Sequence, residues 1–148
     1  MGLVIYDGFK GRIADGTIVW PTSDIRTLIL NTTAAGAYAP ALGTVADLLA
    51  VATVVEASGG GYSRMALTGR SVVVDTTANK AYYEGANVVW ANALWANAAA
   101  AVVYLEGADD AHRYLCSYHD TGFPQVPNGG SFTVAWNGPP SGAVIVAA

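Results

Sequence analysis

The run Cys116-Ser117-Tyr118-His119-Asp120 sets a thiol, a hydroxyl, an imidazole and a carboxylate within five positions, the parts of a nucleophilic hydrolase. Their spacing does not assemble them. In a triad the base must reach the nucleophile while the acid holds the base from behind, and neighbours along one strand do not adopt that geometry. A nucleophile elbow reads G-x-S-x-G, and both Gly61-Tyr62-Ser63-Arg64-Met65 and Gly129-Gly130-Ser131-Phe132-Thr133 lack its last glycine. His112 and His119 fall on opposite parities of a predicted strand, so they do not converge on a metal, and the sequence has no H-E-x-x-H. Cys116 is expected mid-strand on the face of Tyr114 and Tyr118, as a buried and inert thiol. Glu106, Asp109 and Asp110 lack the spacing of a calcium loop and read as loop solvation. Asn31-Thr32-Thr33 fits a glycosylation acceptor, which has meaning only in a secreted chain. The residues therefore predict no catalytic group, no metal site and no cofactor, and the chain reads as something other than an enzyme.

Glycine-rich loops are the next candidates. A loop that cradles phosphate feeds the N-terminus of a helix, where free N–H groups and the helix dipole meet the anion. Asn128-Gly129-Gly130 feeds the alternating run SFTVAW (131–136) instead, so it is read as turn chemistry, with Pro127 fixing its φ and Asn128 and the glycines supplying positive φ. The second turn signal, Asn137-Gly138-Pro139-Pro140, closes the strand. Aromatic side chains remain, either as a stacking platform for sugar or as anchors of a protein interface. Trp90 and Trp136 sit at the apolar parity of their strands and are assigned to the core. Trp95, in NALWANA between strands, is the preferred contact residue, with Trp20, Tyr82 and Tyr83 as further interface candidates.

Composition agrees with an interface. Charged residues make up 12% of the chain, about half the usual share, while hydrophobic residues make up 53%, so polar side chains are scarce for covering a monomer. A homo-oligomer is the expectation. The net charge of −4 and the scattering of Arg12, Arg26, Arg64, Arg70 and Arg113 argue against nucleic acid as a partner. The opening MGLVIYDGFKGRIADG has the pattern of neither a signal peptide nor a membrane anchor, and no apolar run approaches the ~18 residues of a spanning helix. One cysteine in 148 residues leaves no intrachain disulfide, and the length suits a single β-rich domain over 1–148.

The elements that must position these side chains are mostly strands, because period-two alternation dominates from Asp24 onward. DIRTLILN (24–31) is apolar on both faces and reads as a strand near the middle of the fold. TVADLLAVAT (44–53) is the predicted helix, with Thr44 as cap and Asp47 as its capping-box partner. The glycines of ASGGGYS end any regular element. Strands follow in YSRMAL, RSVVV, KAYYEG, NVVWAN, AAVVYLEG and RYLCSYHD. The fold class expected is mainly β, an antiparallel sandwich of Greek-key or jelly-roll type with one short helix.

Taken in order, KGRI (10–13), SDIRTLILNT (23–32), YSRMALTGRSV (62–72), NVVWANA (87–93), AVVYLEG (101–107) and RYLCSYHDTGFPQVPNGGSFTVAW (113–136) form a pattern. It resembles a family of small tailed-bacteriophage proteins encoded among head and tail morphogenesis genes. Members typically carry a strand of the type I-K-V-x-L-V-D-T, then R-x-A-x-x-A-L-T-G-K, A-L-V-I-Y-K-D-T-G and R-L-I-A-Y-I-D-T-x-T-G-L-P-V-T-P-N-G-G-x-x-x-V-x-W. The similarity covers residues 10–146, and its most specific part runs from Asp120-Thr121 to Trp136. Here His119 replaces an isoleucine, the D-T-G-F-P turn is shorter, and PPSGAVIVAA replaces a lysine-containing apolar tail. The resemblance supplies no catalytic motif. It implies a virion structural protein, assembled in the host cytoplasm, whose partners are other virion proteins. Capsid decoration, as a cement on the major capsid protein, is the leading expectation. A neck, tail or fibre component is the alternative, and a carbohydrate- or receptor-binding module comes from a different class.

Overall fold

A computed structural model describes residues 2–136 and 142–147, so the predicted Asn137–Pro140 turn lies outside the described residues. The elements are β1 (Leu3–Ile5), α1 (Asp7–Ala14), β2 (Ile25–Thr32), α2 (Val45–Leu49), β3 (Val55–Glu56) and β4 (Met65–Ala66). They continue with β5 (Ser71–Asp75), β6 (Lys80–Glu84), β7 (Val88–Trp90), β8 (Ala100–Leu105), β9 (Tyr114–His119), β10 (Phe132–Val134) and β11 (Ala143–Ala147). The fold is mainly β, with antiparallel sheets and two short helices. A six-stranded sheet runs β1-β9-β8-β2-β3, with β4 also on β2; β10 pairs β7; and β11-β6-β5 form a three-stranded sheet.

β2 organises the whole. Its alternate residues Ile25 and Ile29 enter one core cluster, and Leu28 and Leu30 enter another, which explains why both of its faces are apolar. β8 divides in the same way, with Ala101 and Val103 on one side and Ala100, Val102 and Tyr104 on the other. The first cluster takes in Tyr83, Ile145, Trp90 and Phe132 from the two smaller sheets; the second takes in Val45 and Leu48 of α2 and Ala37 from a 3-10 turn at Ala35–Tyr38. The first cluster is closed by the two smaller sheets together with Phe9 of α1.

The predicted helix at 44–53 forms only over Val45–Leu49, and its start is as read: Asp47 N–H donates to Thr44 Oγ1, while Thr44 N–H donates to Asp47 Oδ2, both at 3.1 Å. That reciprocal bond satisfies two of the donors a helix start leaves open. The expectation of one helix is corrected by α1. Gly8 and Gly11 lower its intrinsic propensity, so local pattern hides it. Tertiary packing holds it: Phe9 meets Trp20 at 6.0 Å and Tyr83 at 5.4 Å between ring centroids, both edge-on.

The alternation predicted for β9 also fails at one point. Val103 pairs with Ser117 but Tyr104 pairs with Leu115, so Cys116 is an extra residue on β9, a bulge. Leu115 and Tyr118 therefore share the second cluster while Cys116 faces the first. Cys116 does not share a face with Tyr118, as strict period two had implied.

Candidate interaction surface

The three-stranded sheet ends in β5, and β5 ends in the most exposed apolar run of the described residues. Val72 is 40% exposed, Val73 41% and Val74 68%. β-branched residues make this a strand, and the chain then reverses through a turn that Asp75 organises. Asp75 Oδ1 accepts from the N–H groups of Thr77 at 2.9 Å and Ala78 at 3.0 Å, and Asn79 takes a φ of 54°. The return strand is registered residue for residue, from Ser71 opposite Glu84 to Asp75 opposite Lys80, with no bulge. One side of β5 thus pairs with β6; the other pairs with no strand among the described residues. Natural edges are usually blunted by lysine, proline or a bulge within the strand, and Ser71-Val72-Val73-Val74-Asp75 has none of these.

The four aromatic interface candidates lie elsewhere than expected. Trp95, Trp20, Tyr82 and Tyr83 are all buried within the chain, so none of them presents a ring to a partner. Trp95 is 2% exposed because two loops close over its own segment: Leu94 N–H donates to Gly60 O at 2.7 Å, Gly129 N–H to Ala93 O at 2.6 Å, and Ala93 N–H to Gly130 O at 3.0 Å. Its ring meets Tyr62, Trp90 and Phe132 edge-on or nearly so, at 5.4, 6.0 and 5.4 Å. Here the glycine tract has its explanation. A Cβ on Gly61 would stand 2.5 Å from Asn92 O, at a φ of 77° that disfavours any side chain. Trp20 donates to Glu84 O at 2.9 Å and meets Phe9 and Tyr83 edge-on. Trp90 and Trp136 are core residues, as their parity implied, with their Nε1 atoms donating to Ser63 O at 2.7 Å and Ala86 O at 2.9 Å. Of the Asn128-Gly129-Gly130 turn, Gly129 alone takes positive φ, while Asn128 Oδ1 accepts from Gly130 N–H at 3.2 Å.

Most of the cationic side chains are committed to partners inside the chain. Arg64 bridges Glu56 and Asp110, each at 2.6 Å; Arg113 pairs with Asp110 at 3.0 Å and with Glu106; Arg26 pairs with Glu106 at 3.1 Å and Asp24 at 3.2 Å. Hydrogen bonds that Arg64 donates to Glu56 and Asp110 raise its pKa, and, against the burial that would raise them, the arginines hold Glu106 and Asp110 below the usual carboxylate range. Tyr62 Oη donates to Glu56 Oε2 at 2.6 Å and accepts from Ile29 N–H at 3.1 Å, which ties this network to the centre of β2. Arg70 donates to the carbonyls of Trp20, Leu67, Pro21 and Ser23, and Arg12 lies 3.8 Å over the Tyr114 ring. These basic groups serve the fold.

Ser117 and His119 do meet, with Oγ 2.8 Å from Nε2. Ser117 is fully buried, so no substrate carbonyl can approach its hydroxyl. His119 packs edge-on against Trp136 at 4.9 Å, and desolvation lowers its pKa to about 4 against an opposing pull from Asp120. Asp120 Oδ1 accepts from Gly2 N–H at 2.6 Å, an anchor for the start of β1. Burial pushes the Cys116 thiol up to about 12, far from a reactive thiolate. His112 bonds to Asp109 at 2.6 Å, within its own turn. Among the described residues no three metal-ligating side chains cluster, and no helix is long and apolar enough to cross a membrane.

Comparison with protein-family models, with curated proteins and with solved structures returns no match to this chain.

Sequence reasoning passed over Val72–Val74 as a surface. The signal was three consecutive β-branched apolar residues between two turns, apolar on both parities. The same pattern describes a strand buried on both faces, and only the sheet order distinguishes the two.

Proposed function

We propose that this protein is a structural component of a bacteriophage virion, and within it a capsid decoration (cement) protein that stabilises the head by contacts with the major capsid protein. The observation that carries this reading is the unblocked valine edge of β5. A chain so poor in charge that leaves three consecutive valines of an edge strand half exposed is suited to being covered by protein. The resemblance of Asp120–Trp136 to small head and tail proteins supplies the setting: a virion assembled in the host cytoplasm, with many copies making repeated weak contacts on a symmetric lattice. The architecture that goes with it is a β-sandwich, in which the two smaller sheets lie over the face of β2 and β8 that carries Ile29 and Val103. A sugar platform would need aromatic faces at the surface, and Trp20, Tyr82, Tyr83 and Trp95 are core residues, which disfavours the carbohydrate reading.

Copy number tests the proposal. Quantified against the major capsid protein in purified particles, a decoration protein is expected at a ratio near one or a simple fraction of it. A few copies per hundred capsid subunits would overturn decoration and assign the protein to the neck, tail or fibre.

A further inference from the structure

We infer that two copies of this chain pair through β5, antiparallel about a two-fold axis at Val73, joining their three-stranded sheets into one continuous six-stranded sheet. The inference concerns the isolated protein and deepens the structural-protein reading without depending on its place in the particle.

Three observations select a second copy as the occupant. Alternate residues of β5 turn their N–H and C=O groups away from β6, and such a row is satisfied by another strand. The segment Ser71-Val72-Val73-Val74-Asp75 is close to a palindrome in chemistry. Reversed on itself about Val73, it sets Val72 against Val74 of the other copy twice on one face and Val73 against its own counterpart on the opposite face. This register is self-complementary, as an isologous two-fold contact requires. The charges fix the direction. Antiparallel pairing places each Asp75 opposite a Ser71 hydroxyl, whereas parallel pairing in register would set Asp75 beside its own copy, a like-charge contact that destabilises a strand pair.

A contact of one strand edge lies at the small end of specific interfaces, so the isolated pair is weak and gains strength where many copies are held together on a lattice. Cross-linking reads such a contact without requiring high affinity. Directly opposite residues in an antiparallel pair have Cα atoms roughly 4.5–5.5 Å apart, inside the range of about 4.4–6.8 Å that a disulfide spans. Val73 meets this condition with its own copy. Val74 does not, because its own copy lies two residues along on each side of the axis, although Val74 is the more exposed of the two.

The experiment compares Val73→Cys with Val74→Cys in purified protein under mild oxidation by glutathione disulfide, on a non-reducing gel; the native Cys116 is buried and does not interfere. V73C is expected to form the covalent dimer on the order of tenfold faster than V74C, the reverse of the order set by exposure. Equal rates, a faster V74C, or V73C remaining monomeric would each overturn the two-fold register. A second measurement guards against trapping of chance encounters: in sedimentation velocity the wild type is expected to gain mass with concentration above its 15.2 kDa monomer, while Val73→Lys is not. Identical sedimentation of the two would overturn the pairing. A protein that cross-links at Val73 yet occurs at a few copies per particle keeps this interface and loses the decoration assignment, so the two proposals fail separately.

Discussion

Replacing Trp95 with alanine is expected to cost about 3 kcal/mol of folding stability and to leave self-association intact. A buried tryptophan removes on the order of 200 Å² from water, worth roughly 5 kcal/mol at about 25 cal/mol per Å². An unfolded chain already shelters part of that area, which brings the figure to about 3–4 kcal/mol. Two further effects oppose one another. The edge-on contacts with Tyr62, Trp90 and Phe132 and the cavity left behind add to the loss. Against that, Trp95 Nε1 is buried with no hydrogen-bond partner among the described residues, and alanine relieves its desolvation cost of about 1–3 kcal/mol. Urea denaturation reads the result as a midpoint shift of about 1.5 M for a slope near 2 kcal/mol per M. Thermal melting reads it as a fall of roughly 6–12 °C. Trp95→Phe isolates the nitrogen: it keeps most of the ring, removes the orphan donor, and is expected to stay within about 1 kcal/mol of the wild type. The corresponding Trp90→Phe strands the Ser63 carbonyl and costs more. A W95A midpoint within 0.5 M of the wild type, on that same slope of about 2 kcal/mol per M, would refute the assignment of Trp95 to the core. Lost self-association at unchanged stability would return it to the surface.

Two other perturbations have definite signs. His119 has a folded pKa lowered to about 4, so the unfolded chain takes up its proton first; the stability this group contributes is whole above its unfolded pKa of about 6.5 and is lost as pH falls toward 4. Urea midpoints at pH 7, 5.5 and 4.5 are expected to fall with a slope of at most about 1.4 kcal/mol per pH unit, and His119→Gln should flatten that limb. Glu106 and Asp110, held low by their arginines, add a second loss only below about pH 4.5, as pH drops through their folded values; Arg64→Gln is expected to shrink this lower limb and leave the His119 limb alone. Gly61→Ala forces a Cβ toward Asn92 O at positive φ and is expected to destabilise by about 1–3 kcal/mol, whereas Gly59→Ala, at a φ of 83° with open space around it, should cost the backbone strain alone. Equal costs for the two in a thermal melt would remove the close-approach explanation for the glycine tract.

Where structure is dictated locally, the residues spelled it out. Thr44 and Asp47 mark a helix start because the capping bonds close within one turn, and Ile25–Thr32 alternates between two cores because a strand has only two faces. What escaped depends on contacts between distant segments. α1 forms despite Gly8 and Gly11 because Trp20 and Tyr83 receive Phe9. Trp95, read as a loop residue free to make contacts, is buried because the Gly60 and Gly129 loops fold over it, and no window around NALWANA contains either. β1, β3 and β11 are short or late strands whose partners Tyr118, Leu30 and Tyr83 lie far along the chain. The bulge at Cys116 shifts parity by one residue, which period two has no means of announcing. The interface candidates failed for a related reason: aromatic size signals that a residue matters but not which side of the surface it occupies, whereas the edge position of β5 is a property of the sheet as a whole.

The pairing of β2 with β8 brings Leu30 beside Ala100 and Ile25 beside Leu105, contacts between segments separated by about half the chain. The β5–β6 hairpin joins neighbours across a short turn. Local hairpins close in microseconds, while folds ruled by distant pairings take milliseconds to seconds. The hairpin therefore closes and reopens many times before the distant pairings form, and each closure displays a sticky edge on an unfinished body. Crowding during synthesis turns that interval into a race between chains finding each other and each chain finding itself, and dilution or slower production favours the second.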